Sequence, residues 1–111
     1  MTEVRLYLAQ RISAAIMAPL VLLHLGVMTY AIQDGLSAAE ILDRTRGSFF
    51  WGAAYGVFAL SVAVHAAIGL RNILREWSRI SALLLDVICW VFAIALLTLG
   101  IRAVYAVVVG G

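Results

Sequence analysis

Lysine is absent from this 111-residue chain, and all eight of its basic residues are arginine. Charge of either sign is scarce: 13% of residues are charged and 65% are apolar, against about 25% and roughly 45–50% in a soluble domain. A single small domain is expected from the length. A soluble fold of that size has too little interior to hide so much apolar surface, so the scarcity of charge makes the bilayer the expected solvent. The formal charge of +2, spread over dispersed arginines, excludes a nucleic-acid footprint. Cys89 is the lone cysteine. An intrachain disulfide is therefore excluded, and in its apolar run Cys89 reads as a small hydrophobe. There is no Cys/His set with zinc or iron–sulfur spacing, no phosphate-cradling glycine loop and no nucleophile–base pairing, so no catalytic residue is expected in the chain. The first apolar run exceeds the about 7–15 residues of a signal-peptide core, and no small-residue cleavage site follows, so it is expected to be retained.

What is abundant is long hydrophobic runs. Residues 12–33 and 47–70 carry no charge between Arg46 and Arg71 or within the first run, apart from those bounding them, and residues 80–109 carry only Asp86 and Arg102. A spanning helix needs about 20 apolar residues. The chain is therefore expected to be an all-α integral membrane domain over residues 1–111, with three transmembrane helices at about 12–33, 47–75 and 80–108. Asp86 and Arg102 lie about 24 Å apart along a helix, near opposite interfaces, with Arg102 snorkelling outward. Tyr30, Trp51, Tyr55, Trp77 and Tyr105 fall near segment ends as aromatic belts do, and Trp90 does not. Pro19 predicts a local kink that a packed membrane helix tolerates. Gly52 and Gly56, among many alanines, favour close helix contact, and the second segment reads as the most buried by protein. Ser37 with Glu40 three residues on predicts a short capped helix between the first two spans.

Arginine asymmetry sets orientation. Arg5 and Arg11 precede the first span, and Arg71, Arg75 and Arg79 fill the link between the second and third, whereas the loop with Asp34, Glu40, Asp43, Arg44 and Arg46 is net acidic. The positive-inside rule places the N-terminus in the cytoplasm and the C-terminus outside.

Two histidines lie inside apolar runs, and an intramembrane ionisable residue is a functional-site hypothesis by default. His65 reads either as a packing residue bonded to a neighbouring carbonyl or as an axial haem ligand. Gly69, one turn on, would leave room for a flat macrocycle, and Arg71 could meet a haem propionate. His24, between Leu23 and Leu25, has the same two readings. Counted from Arg11 and Arg71, His24 is about 20 Å and His65 about 9 Å from the cytoplasmic boundary. That gap of about 11 Å makes a shared iron unfavourable: if both bind haem, they bind different haems, each needing a second ligand from elsewhere.

Gln10, Arg11 and Ser13 are expected to open the first span. They read as an interfacial anchor with a cap, or as a site in which Arg11 meets a propionate or phosphate and Ser13 donates to a quinone carbonyl. Glu76 with Trp77 reads as a solvated edge, or as a proton relay to a reduced quinone. Asp86 is expected either to be buried enough to favour its neutral form or to pair with Arg79 or Arg75.

These residues resemble a family. His65, Gly69, Leu70, Arg71, Asn72 and Glu76 follow His-x-x-x-Gly-[Ile/Leu]-Arg-His-x-x-x-Asp, the helix II signature of the cytochrome b membrane-anchor subunit of succinate dehydrogenase and fumarate reductase. Gln10, Arg11, Ile12, Ser13 and Ala14 are similar to its helix I opening, His-Arg-[Ile/Val]-[Ser/Thr]-Gly. The third span carries no motif. Gln10 and Asn72 each stand where the pattern has histidine, Ala14 where it has glycine and Glu76 where it has aspartate. The resemblance implies a multi-pass anchor in a bacterial inner membrane that binds haem b and quinone. It also implies a flavoprotein and an iron–sulfur subunit docked on the cytoplasmic face, with succinate chemistry on those partners. By position, His65 is the axial ligand, Arg71 the basic residue of helix II, and Arg11, Ser13, Glu76 and Trp77 the candidate quinone edge. His24 is similar to the helix I ligand of the two-haem branch. Two haems are therefore expected, their missing ligands supplied by a second anchor subunit or a second copy of this chain. The rival readings are a haem-free anchor of the same complex, and a small proton-coupled transporter or channel subunit using His24, His65 and Asp86. Many secondary transporters are built from internal repeats, and none relates these segments.

Overall fold

A computed structural model of the chain, which describes residues 2–110, contains four helices and, among those residues, no strand. They are α1 (Glu3–Gln33), α2 (Ala38–Thr45), α3 (Phe49–Trp77) and α4 (Ala82–Val108). The three long helices are each apolar and long enough to cross a membrane. The molecule measures 49 × 25 × 22 Å. Its long axis exceeds the hydrocarbon thickness of about 30 Å, so helix ends reach the headgroup zone.

α1 begins well before residue 12, which corrects the expected start. Thr2 caps it, its side chain accepting from the Arg5 amide at 3.4 Å. No glycine or proline interrupts residues 3–18, so nothing stops the helix from propagating out of the apolar run. Gln10, Arg11 and Ser13 therefore lie inside α1 rather than at its opening. Ser13 is not a cap: its hydroxyl donates back to the Gln10 carbonyl at 2.9 Å. The helix runs on through Pro19 to Gln33. α2 opens with the full capping box, Ser37 accepting from the Glu40 amide and Glu40 from the Ser37 amide. Ser48 caps α3 and Ser81 caps α4, each accepting from the amide three residues on. Ser78 closes α3 by donating its hydroxyl to the Leu74 carbonyl.

α3 is the middle helix and packs on both neighbours, antiparallel to each. Glu3 meets Arg75 near one end of the α1–α3 pair, and His24 meets Tyr55 and Phe58 further along. On the other side Arg71 meets Asp86, and Gly52 faces Val108. Five of the buried residues belong to α3, namely Ser61, Ala63, Ala67, Ile68 and Arg71, and most are small. Elsewhere large apolar side chains point outward, such as Phe49 (90% exposed) and Leu83 (77%). In water such a surface would aggregate; in lipid it is the ordinary outer face of a spanning bundle.

Close helix approach occurs at a glycine outside the expected pair. A Cβ built on Gly100 would lie 2.8 Å from the Ala59 Cβ, whereas Gly56 has nothing within 4 Å and Gly52 makes only ordinary contact with Val108. The loop after α2 is tied to the far end of α4. The Thr45 hydroxyl donates to the Val107 carbonyl and the Gly47 amide to that of Val108, both at 2.6 Å. These bonds satisfy carbonyls that a helix end leaves without partners, and Gly47 reaches its position with φ at +71°.

Gly100→Ala is expected to lower thermal stability in detergent by about 1–3 kcal/mol through overpacking against Ala59, while Gly56→Ala leaves it unchanged or slightly higher; equal effects would show that Gly100 is not the contact point. Thr45→Val is expected to cost about 1 kcal/mol for the lost hydrogen bond, read from the same melting curves.

Candidate functional site

The charged end of the bundle is organised by Arg71, one turn and a half beyond His65 on α3. Arg71 is 3% exposed. Its Nε donates to Asp86 Oδ1 at 2.9 Å, and its Nη1 lies 3.5 Å from Glu3 Oε1. Glu3 is held more closely by Arg75, at 2.6 Å. One guanidinium thus faces carboxylates from α1 and α4, and three helices share one ionic cluster. Burying a guanidinium in an apolar bundle is tolerable only with such partners. The expected pairing of Asp86 with Arg75 or Arg79 is corrected: its partner is Arg71. The reason is competition for carboxylates: Arg75 is held by Glu3 of α1 at 2.6 Å, and the buried Arg71 guanidinium reaches Asp86 across the α3–α4 seam at 2.9 Å. Nη1 of Arg71 is buried without a hydrogen bond among the described residues.

His65 faces α1. Its Nδ1 lies 3.4 Å from the Gln10 carbonyl oxygen, the same oxygen that accepts the Ser13 hydroxyl. A carbonyl only accepts, so the contact is a hydrogen bond when Nδ1 carries the imidazole proton. The Gln10 side chain crosses the same seam. Its Oε1 accepts from Asn72 Nδ2 at 3.1 Å, and its Nε2 would lie 3.5 Å from a Cβ at Gly69. The space beside Gly69, expected to be open to a macrocycle, therefore faces the Gln10 amide.

His24 has a different setting. Its ring packs against Phe58, centroids 5.5 Å apart, and edge-on to Tyr55 at 6.0 Å. Tyr55 also stacks on Trp51, one turn earlier on the same helix, at 5.5 Å. Nδ1 of His24 is buried with no hydrogen-bond partner. Its level on α3, between Tyr55 and Phe58, is about 10–15 Å from that of His65.

The remaining candidates are spread out. Arg11 is exposed and its guanidinium lies over the Tyr7 ring at 5.6 Å. Ser13 is buried. Glu76 and Trp77 end α3 exposed, Trp77 at 84%. In the antiparallel register Ser13 sits level with residues near Ala67, so Trp77 stands about 12–15 Å further along the axis. The structure thus joins Ser13 to Gln10 and His65, and leaves Glu76 and Trp77 apart from them. Sequence reading missed Glu3 as an ion partner and Gln10 as the contact of His65. The short α3–α4 link was the signal that an arginine late in α3 would face Asp86, and it did not say which arginine. Among the described residues no three His, Cys, Asp or Glu side chains gather to hold a metal ion.

Three apolar spans around a buried ionic cluster define a multi-pass integral membrane protein with two imidazoles inside its spans. The model of one protein family, the succinate dehydrogenase/fumarate reductase transmembrane subunit, matches residues 2–78. The chain belongs to that family and so to a multisubunit complex of that kind. The matched segment holds α1, α2 and α3 with both histidines; α4 lies beyond it. No curated protein and no solved structure gives a significant match.

Asp86→Asn is expected to lower the melting temperature of the detergent-purified protein, because Arg71 keeps a buried charge with only Glu3 beside it. Arg71→Met and Asp86→Asn are each measured alone and together, and the double variant is expected to lose less than the sum of the two singles. Additive losses in this double-mutant cycle would show that the pair is not coupled.

Proposed function

We propose that this chain is a haem b-binding anchor that passes electrons between an iron–sulfur partner and membrane quinone, as one subunit of a succinate:quinone oxidoreductase. The observation that carries the reading is a pair of intramembrane imidazoles that the chain's own hydrogen bonds leave incomplete. His65 uses Nδ1 toward Gln10, and no described residue engages its Nε2. Nδ1 of His24 is buried with no hydrogen-bond partner among the described residues. An unpaired buried polar atom carries a desolvation cost of about 1–3 kcal/mol, so keeping an imidazole there points to a use beyond packing. The residues fit haem as half-sites. His65 would hold one haem and His24, at a different level, a second. A second anchor subunit or a second copy of this chain would complete each site.

When bound, the haem supplies the one-electron redox centre. The chain's own groups orient and neutralise. Arg71, whose Nη1 is buried 3.5 Å from Glu3 Oε1, would meet a propionate only if Glu3 gave way to it. Arg11, exposed at its turn of α1, offers a donor. For quinone, the candidates remain Arg11 and Ser13 on α1 and Glu76 and Trp77 at the end of α3. Ser13 must turn its hydroxyl proton away from the Gln10 carbonyl to donate to a quinone oxygen. Glu76, exposed at the surface end, is suited to passing protons between water and a reduced quinone. The arginine asymmetry supports a cytoplasmic orientation for this end of the bundle, where the flavoprotein and iron–sulfur subunits would dock, in a bacterial inner membrane on the same proposal.

The purified complex is expected to give a bis-histidine b-type haem spectrum, and His65→Ala is expected to remove one haem signal. A pyridine haemochrome assay measures this; a wild-type complex without haem would make the chain a haem-free anchor. Counted over both anchor chains of the complex, whether two copies of this chain or this chain with a second anchor subunit, a haem-to-chain ratio near one supports two haems and a ratio near one half supports one.

A further inference from the structure

We infer that Gln10 is the positioning residue of His65: its backbone carbonyl holds the imidazole proton on Nδ1 and so presents Nε2 as the ligating nitrogen. The inference rests on the haem reading above and deepens it. A neutral imidazole has one N–H, and its partner here can only accept. With Nδ1 lying 3.4 Å from the Gln10 oxygen, the tautomer that makes this bond is the one whose lone pair is on Nε2. Histidines that bind metals characteristically give their other N–H to a carbonyl or carboxylate, which sets the ring's orientation and raises its basicity.

Two further contacts act on that carbonyl, in opposite senses. Ser13 donates to the same oxygen from a shorter distance, 2.9 Å, and the helix places the Ala14 amide there too. Each added donor leaves less acceptor strength for His65. Asn72 acts the other way. It stands two turns beyond His65 on the same face of α3 and donates to Gln10 Oε1 at 3.1 Å. That clasp fixes this turn of α1 against α3, with the Gln10 amide closing over Gly69. Gln10 and Asn72 are also the two positions at which this chain departs from histidine in the pattern it resembles, and they bond to each other. The departures form one unit, which neither protonates nor deprotonates as a histidine pair would.

The test is potentiometry and low-spin ferric EPR on the purified complex carrying Ser13→Ala, Asn72→Ala or Asn72→His. Ser13→Ala frees the carbonyl, strengthens the His65 bond and is expected to lower the haem potential. Asn72→Ala loosens the clasp and is expected to raise the potential and weaken haem retention about tenfold. Asn72→His, which keeps a donor, restores both. Opposite signs are the signature, since a loss of packing alone would move both alanine variants the same way. If wild type holds haem and the two alanine variants shift together or not at all, Gln10 is not the positioning residue and the haem reading stands. Wild type without haem overturns both. Should Asn72→Ala fail to assemble, the sign of the Ser13→Ala shift decides alone.

Discussion

A guanidinium that cannot reach water governs this structure. Arg71 is buried in a bundle whose other buried residues are small, apolar or hydroxylic, and lipid offers it no counter-charge. Its partners must come from the chain, and they come from different helices: Asp86 from α4 and Glu3 from the first turn of α1. The extension of α1 beyond its apolar run follows from the same requirement, since a helix beginning at residue 12 would leave Glu3 on an unstructured arm. Arg75 then holds Glu3 from the other side. In the hydrocarbon, close packing and hydrogen bonds must carry helix association, because lipid tails compete on equal terms for apolar surface. The ionic cluster and the Gly100–Ala59 approach therefore fasten the α3–α4 seam at two separated levels.

The spans were legible in the sequence because lipid writes its demand directly into composition: long uncharged runs have no other stable home. The α2 cap was legible for a similar reason, since Ser37 and Glu40 satisfy their own local amides. The start of α1 was not. Hydropathy marks where a helix enters the hydrocarbon, and the helix itself begins where a cap and unbroken residues allow. Gly52 and Gly56 show another limit. A small-residue motif states which face can be approached, and only the register decides that Gly100 is the glycine approached within this chain. For the candidate site, the types and depths of His24 and His65 were readable, while their surroundings depend on cross-helix contacts that no single segment encodes.

The two imidazoles have unlike neighbours. His65 stands by a carbonyl, a buried serine and an amide clasp, a short distance along α3 from the ionic cluster. His24 stands among Tyr55 and Phe58 with no acceptor for Nδ1. One ring is oriented by hydrogen bonding and the other by aromatic packing. The polar ring sits on the side of the bundle where charge gathers, and the aromatic one lies towards the end where α2 crosses to α4.

That α3 lies between α1 and α4 bears on why one copy is incomplete. α1 packs on α3 alone in any substantial way, and of its 31 residues only Leu6 and Ser13 are buried. The rest of its circumference, including the levels of both histidines, must be covered by lipid or by another chain. Lipid can cover Leu22 or Leu25, which are exposed and apolar, but it cannot satisfy the buried nitrogen of His24. A spanning helix with so little surface buried by its own chain keeps most of its circumference available to lipid or to another subunit. Membership in a multisubunit family supplies the context in which such a helix would find its cover.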